Sequence, residues 1–450
     1  MSDPPPFGES PVPASCVRIF PSIAGGRIRV PPSKSYTHRA LASALLSDRP
    51  TRLKHPLLSE DTEASLRAAR GLGAEVRREE TTGGEHVWSV EPPEALAGHP
   101  SQIDVGESGT TLRIFTSLSS LGTARVTFVG KPGLARRPIT DLLRALGTLG
   151  AMIDAPPTGT SLPFGVRGPI HGGAVRVDVS QTSQYLSGLL LSLPAAEGES
   201  VIRPEGAPVS VPYVEATLAF VRSRGIRIEE REGAIHVPGG QVYSADPFEI
   251  PGDASSAAYL AALAAITGGK VTLQGLPATW PQADLVLLDI LREAGAEVHR
   301  TEEDSVEVRG PGPRGLTAFR ADLDANPDLA PLLSVLAAYA QGTSTLTGGS
   351  HLALKESDRR SGVLRLAQAL GSVVDSSAEG ITIRGGHRAP RLQLLDLTDH
   401  RMFMSAVVGA AGLEQPSLLG PTSAPSKSYP GFLRDIETLG VTCHGEEVKS

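Results

Sequence analysis

ARGLGAEV (69–76) ends a helix-like run on Gly73 and resumes at once with an apolar residue. The same junction returns in ALGTLGAMI (145–153), VRSRGIRI (221–228), LREAGAEV (291–298), AQALGSVV (367–374) and IETLGVT (436–442). The marker glycines Gly73, Gly150, Gly225, Gly295, Gly371 and Gly440 stand 77, 75, 70, 76 and 69 residues apart by subtraction. A glycine just past a helix takes the left-handed conformation at little steric cost. Six junctions at near-constant spacing predict one supersecondary unit used six times. A simple βαβ unit needs roughly 30 residues, so each interval here holds more than one helix and strand.

At about 100 to 200 residues per domain, 450 residues make two or three domains. Six units then divide as three and three. The formal charge of −7 offers no basic field for nucleic acid or a membrane surface. Cys16 and Cys443 lie near opposite ends, with neither a metal-ligand spacing nor a disulfide framework. MSDPPPFGESPVPAS (1–15) lacks a basic region followed by an apolar one, and reads as a disordered lead-in. The apolar run at 257–269 is too short to span a bilayer. A cytoplasmic protein is expected.

CVRIF (16–20) and GRIRV (26–30) read as the first strands. Six stretches then begin with a polar Gly, Ser or Asp turn and continue as helices apolar nearly all round, at 31–47, 104–122, 179–196, 248–269, 322–342 and 399–412. Ser33 caps the first, and Asp253 and Ser255 are capping candidates for the fourth. A helix apolar all round is buried. Each unit therefore pairs a buried helix with an amphipathic one that ends at the marker glycine. Helix N-termini facing one cleft would bind anions without a P-loop. No GxxxxGK[ST] occurs and no GxGxxG follows a strand, so a nucleotide fold is unsupported.

Charge gathers at these helix starts. Lys34 leads to Arg39, Asp399 precedes His400 and Arg401, and Lys427 lies in SKSYPGF. Lys355 and Arg359 share one face if their segment is helical. A cationic set spread over both halves of an acidic protein suggests convergence on a small polyanion. PSKSYTHRAL (32–41), GESGTTLR (106–113), TSQYLSGLL (182–190), DLDANPDLAP (322–331), LKESDR (354–359), DHRM (399–402) and SKSYPGF (426–432) resemble, in order, the signature segments of the 3-phosphoshikimate 1-carboxyvinyltransferase (EPSP synthase) family.

The resemblance implies an α/β fold: a two-domain inside-out α/β barrel, each domain of three βαβαββ repeats with buried helices. It implies a discontinuous domain of residues 1–32 and 252–450, an inserted domain of 33–251, and an active site between them. The implied reaction moves the enolpyruvyl group of phosphoenolpyruvate to the 5-hydroxyl of shikimate 3-phosphate and releases phosphate. Lys34, Ser35, Arg39, Thr182, Ser183, Gln184, Ser210, Asp328, His351 and Lys355 match shikimate 3-phosphate positions. Lys34, Gly109, Arg137, Gln184, Arg359, Arg401 and Lys427 match phosphoenolpyruvate positions, with Arg136 competing for the place of Arg137. Asp328, Glu356 and Lys34 are the implied catalytic residues; which carboxylate makes which proton transfer stays open. No cofactor or metal is implied, because phosphoenolpyruvate carries its own activation. The expected partners are the two substrates, with the chain as a monomer. Glyphosate occupies the phosphoenolpyruvate pocket in the family.

Two positions depart from the pattern. Glu107 replaces an Asn common in the glycine turn, and must point away or pair with Arg113. His351 replaces an Asn, and imidazole can donate a similar hydrogen bond. A cleft lined by cations should also repel itself. The sister family that acts on UDP-N-acetylglucosamine uses a loop cysteine, which GKPGLARRP (130–138) lacks. A non-catalytic anion-binding paralogue is disfavoured because the implied carboxylates and cations are all present.

Overall fold

The computed structural model describes residues 15–81 and 84–446. The lead-in reading falls on 1–14, outside the described residues. All six marker glycines have positive φ, from +84° at Gly225 to +105° at Gly150. The amide after each glycine bonds back to a carbonyl five residues earlier: Ala74 to Ala69, Ala151 to Leu146, Ile226 to Val221, Ala296 to Leu291, Ser372 to Ala367 and Val441 to Ile436, at 2.8–3.1 Å. This helix-terminating bond pattern requires a left-handed residue before the donor, which is why glycine recurs there.

Among the described residues the strands form six four-stranded sheets of one topology. Ser101–Asp104 runs parallel to Val126–Val129, joined through the helix Gly109–Ser119. The helix Thr140–Thr148 follows, then Met152–Asp154 and Phe164–Arg167 pair as a hairpin whose second strand lies against Val126–Val129. A parallel pair needs a crossover and an antiparallel pair only a turn, so the order βαβαββ explains the sheet. Two further units, starting at Ala174–Asp178 and Arg320–Asp322, are likewise continuous in sequence.

The other three sheets borrow a strand. Phe248–Glu249 pairs with Thr51–Lys54, and Gly25–Arg29 pairs with Lys270–Gln274. Cys16–Ile19 lies between Ser417–Leu419 and Cys443–Glu446. The chain thus moves between two sets of sheets twice, and the passages lie side by side: Ser33 donates to the Pro251 carbonyl and Asp253 to that of Pro31, both at 2.8 Å.

Two hydrophobic cores match this division. One gathers Val17–Val30 with residues 257–441, the other residues 36–250. Lys34–Ala44, Gly109–Ser119 and Gln184–Ser192 pack together in the second, and Ala254–Thr267, Ala330–Tyr339 and His400–Ala411 in the first. Sheets lie outside and helices inside. The small side chains of these helices permit close approach: a Cβ on Gly188 would stand 2.6 Å from the Ser117 hydroxyl and 2.9 Å from the Arg113 carbonyl. Among the described residues no helix is long and apolar enough to cross a membrane.

Candidate active site

The starts of all six buried helices open onto one cleft. Ser33, Ser108, Asp253 and Asp399 cap four of them by accepting from Tyr36, Thr111, Ser256 and Arg401 backbone amides. One half supplies Lys34, Ser35, Arg39, Gly109, Arg137, Thr182, Ser183, Gln184 and Ser210 to the lining; the other supplies Asp328, Lys355, Glu356 and Arg401. Each of these thirteen was expected at the site from sequence. Ser210 has φ +58°, and its amide donates to the Asp324 carbonyl of the other half at 2.7 Å.

Three expected residues stand outside that lining. Arg359 is fully buried behind it, bonded to Asp328 and Asp399 at 2.9 Å each and paired with Glu356 at 2.5 Å. Lys427 stands 3.5 Å from Glu107. His351 is buried with Nδ1 3.4 Å from Asp324.

The expected cationic repulsion is reduced because several of the cations have a carboxylate, whereas Arg39 bonds only to the Thr217 hydroxyl and to the Ser35 and Tyr213 carbonyls. Lys34 binds Asp61 at 2.8 Å, Arg137 faces Glu356 at 3.5 Å, and Arg401 binds Asp328 at 2.7 Å. Burial would raise the Asp328 carboxyl, but Arg401, Arg359 and Lys355 outweigh it and hold it below its ordinary range. Glu356 is likewise opposed by burial and held well down by Arg359, Arg137 and Lys427. Burial, helped by Arg359, pushes Lys355 down to about 8. The cleft therefore presents two ionised carboxylates among cations.

Other expectations need correction. Glu107 pairs with Lys427, not Arg113; Arg113 donates to Gln184 at 2.8 Å and to the Pro138 carbonyl at 2.7 Å. Lys355 and Arg359 share no helix face: a 3-10 turn covers Ser350–Leu354, and Asp358 caps a new helix starting at Arg359. Of the competing pair, Arg137 is buried at the cleft while Arg136 is exposed. Burial pushes His400 down to about 3, so the ring is neutral.

Sequence reasoning passed over Asp61, Tyr213, Asp284 and the site role of Arg113. Asp61 holds Lys34, and Tyr213 lines the cleft and donates to Asp284 across it at 3.2 Å. Burial and Arg137 push buried Arg113 down to about 10. Tyr213 lies three residues after Ser210, which was a weak available signal.

A family model for EPSP synthase (3-phosphoshikimate 1-carboxyvinyltransferase) matches residues 21–436, spanning all seven motifs. The chain belongs to the EPSP synthase family. Family relatives include the 3-phosphoshikimate 1-carboxyvinyltransferases of Methanocorpusculum labreanum and Thermococcus kodakarensis. The first is 34% identical over 423 residues, covering 94% of this chain and 97% of its own length. The second is 37% identical over 414 residues, covering 92% and 97%. The EPSP synthase of Acinetobacter baumannii shares the fold with TM-score 0.77 at 23% identity, over 96% of this chain and all of that one. The enolpyruvyl transferase NikO of Streptomyces tendae does so with TM-score 0.72 at 16% identity, over 97% and 100%. In this EPSP synthase family member Cys16 and Cys443 lie in outer strands, away from the cleft lining.

Proposed function

We propose that the cleft transfers the enolpyruvyl group of phosphoenolpyruvate to the 5-hydroxyl of shikimate 3-phosphate and releases phosphate. The observation that carries this is the pair Asp328 and Glu356, both held ionised beside Lys34, Arg137, Lys355 and Arg401. Lys34, Ser35, Arg39, Thr182, Ser183, Gln184, Ser210, Asp328 and Lys355 hold shikimate 3-phosphate. Lys34, Gly109, Arg137, Gln184 and Arg401 face phosphoenolpyruvate, with Lys427 at the edge and Arg359 fixing the carboxylates from behind.

In the addition step the 5-oxygen bonds to C2 of phosphoenolpyruvate while the 5-hydroxyl proton leaves and C3 gains a proton. In the elimination step C3 loses a proton as the C2–O bond to phosphate breaks. An ionised carboxylate can accept a proton from substrate and return one. Asp328 and Glu356 share these transfers, Lys34 and the guanidinium groups stabilise the departing phosphate, and the carboxylates stabilise cationic character at C2.

We place the enzyme in the cytoplasm as a monomer of two domains, one of residues 33–251 and one of 1–32 with 252–450. The separate cores and paired passages support that division. The position of both cysteines away from the cleft argues against the UDP-N-acetylglucosamine reaction. Phosphate release should follow phosphoenolpyruvate plus shikimate 3-phosphate but not phosphoenolpyruvate plus UDP-N-acetylglucosamine; the opposite preference overturns this reading.

A further inference from the structure

Lys34, Arg137, Arg359, Arg401 and Lys427 each have a carboxylate partner, and these carboxylates differ in exposure. The side chains of Asp399 and Asp61 are 2% and 6% exposed, Glu356 18% and Asp328 25%. Glu107 is 44% exposed, while its partner Lys427 is only 12% exposed. Removing one member of a buried pair strands the other charge and is strongly destabilising. A carboxylate already half in water can give up its partner at little desolvation cost. Among these five, Glu107 is thus the one an incoming anion displaces most readily.

Its place in the fold matters too. Glu107 stands in the turn leading to Gly109, which lines the cleft. The Gly106 carbonyl accepts from the Lys131 amide at 2.8 Å, and a Cβ on Gly133 would lie 3.3 Å from Glu107 Oε1. The segment that Glu107 touches continues to Arg137. Glu107 therefore touches the 131–137 segment of its own half and Lys427 of the other. Next to Lys427, the Ser426 hydroxyl donates to Glu60 at 2.6 Å, so the 426–427 segment is held across the cleft independently of Glu107.

We propose that Glu107 is a built-in competitor of phosphoenolpyruvate, neutralising Lys427 until the substrate's anionic groups displace it, and so a residue that sets affinity for this substrate. The inference rests on the reading of the cleft given above. It concerns phosphoenolpyruvate alone, because Arg39 and Lys355, on the shikimate 3-phosphate side, make no bond to Glu107.

The test is calorimetric titration of phosphoenolpyruvate into the wild-type protein, Glu107→Gln and Glu60→Gln, followed by steady-state kinetics. An exposed ion pair corresponds to a change of up to about five-fold. Glu107→Gln should lower the Kd and KM for phosphoenolpyruvate about two- to five-fold. The KM for shikimate 3-phosphate should stay constant and kcat within two-fold, and Glu60→Gln should bind phosphoenolpyruvate like wild type. An unchanged or raised Kd in Glu107→Gln overturns the proposal, as does an equal gain in Glu60→Gln, which would mean a general field effect. A wild-type protein that binds phosphoenolpyruvate but releases no phosphate with shikimate 3-phosphate would sink the proposed reaction instead, while the calorimetric comparison would still decide the role of Glu107.

Discussion

Arg137, from one half of the molecule, stands 3.5 Å from Glu356 of the other. Arg359 approaches the same carboxylate from behind at 2.5 Å. Glu356 is thus clamped between guanidinium groups of both halves, and both favour its ionised form, Arg359 more than Arg137. Asp328 is held in the same way by Arg359 and Arg401 within one half.

Replacing either carboxylate by its amide should remove most turnover. Asp328→Asn and Glu356→Gln keep size and lose the basic oxygen, whose contribution is typically about 10²- to 10⁴-fold. Arg359 retains two carboxylate partners in either variant, so the fold should survive, and shikimate 3-phosphate binding should survive in Glu356→Gln. Stopped assays and ligand titration measure both quantities. Near-normal turnover would take the residue out of the mechanism.

The halves should draw together over substrate. Tyr36 donates to the Pro281 carbonyl at 2.8 Å, Tyr213 to Asp284 at 3.2 Å, and the Ser210 amide to the Asp324 carbonyl, all between halves. A ligand bridging Ser210, Lys34 and Asp328 reinforces the same contacts and shifts the population towards them. Small-angle scattering should show a smaller radius with shikimate 3-phosphate. Tyr213→Phe should weaken the change, and an unaltered wild-type profile at saturation would count against closure.

Gly109→Ala should act on phosphoenolpyruvate rather than on folding. The positive φ of this turn belongs to Gly106, at +57°, while Gly109 is the first residue of its helix. Alanine therefore meets no left-handed backbone. Its Cβ would instead lie 2.6 Å from the Arg113 guanidinium and 2.7 Å from that of Arg137, and both must shift. The expected result is a KM for phosphoenolpyruvate raised about ten-fold or more, with little change in KM for shikimate 3-phosphate or in Tm; displacement of about 1 Å at a site can change rate by about 10². A large fall in Tm with unchanged KM would assign Gly109 to folding alone.

Stability should decline below about pH 6.5. Burial pushes His38 and His400 down to about 3, and for His38 the pull of Asp61 is countered by Lys34 and Arg39. An unfolded imidazole titrates near about 6.5. Between these values the unfolded chain binds the extra protons, so folding stability falls as pH drops, by roughly 1.4 kcal/mol per pH unit for each group. Above about pH 6.5 neither group contributes a slope. Thermal melts from pH 7.5 to 5.0 should show the decline, and His38→Asn should flatten it. An identical slope in the variant would contradict the assignment.

The six junctions were legible because each is a local event: a helix end whose bond pattern demands a left-handed residue, within a window of about six residues. The buried helices were legible because burial on every side excludes charge from the helix body and leaves it at the start. The resemblance of seven ordered motifs to the family's signature segments then implied thirteen residues that line the cleft. Tertiary structure alone decided what is remote in sequence. Cys16–Ile19 completes a sheet with Ser417–Leu419 and Cys443–Glu446, about 400 residues away, because an open strand edge pairs with whatever backbone the fold brings beside it. It also decided that Glu107 meets Lys427 and not Arg113, that Arg359 lies beneath the carboxylates, and that Asp61 holds Lys34. Backbone conformation and burial periodicity are carried by neighbours along the chain, whereas the partner of a charge depends on distances of a few ångströms between segments that only folding sets side by side.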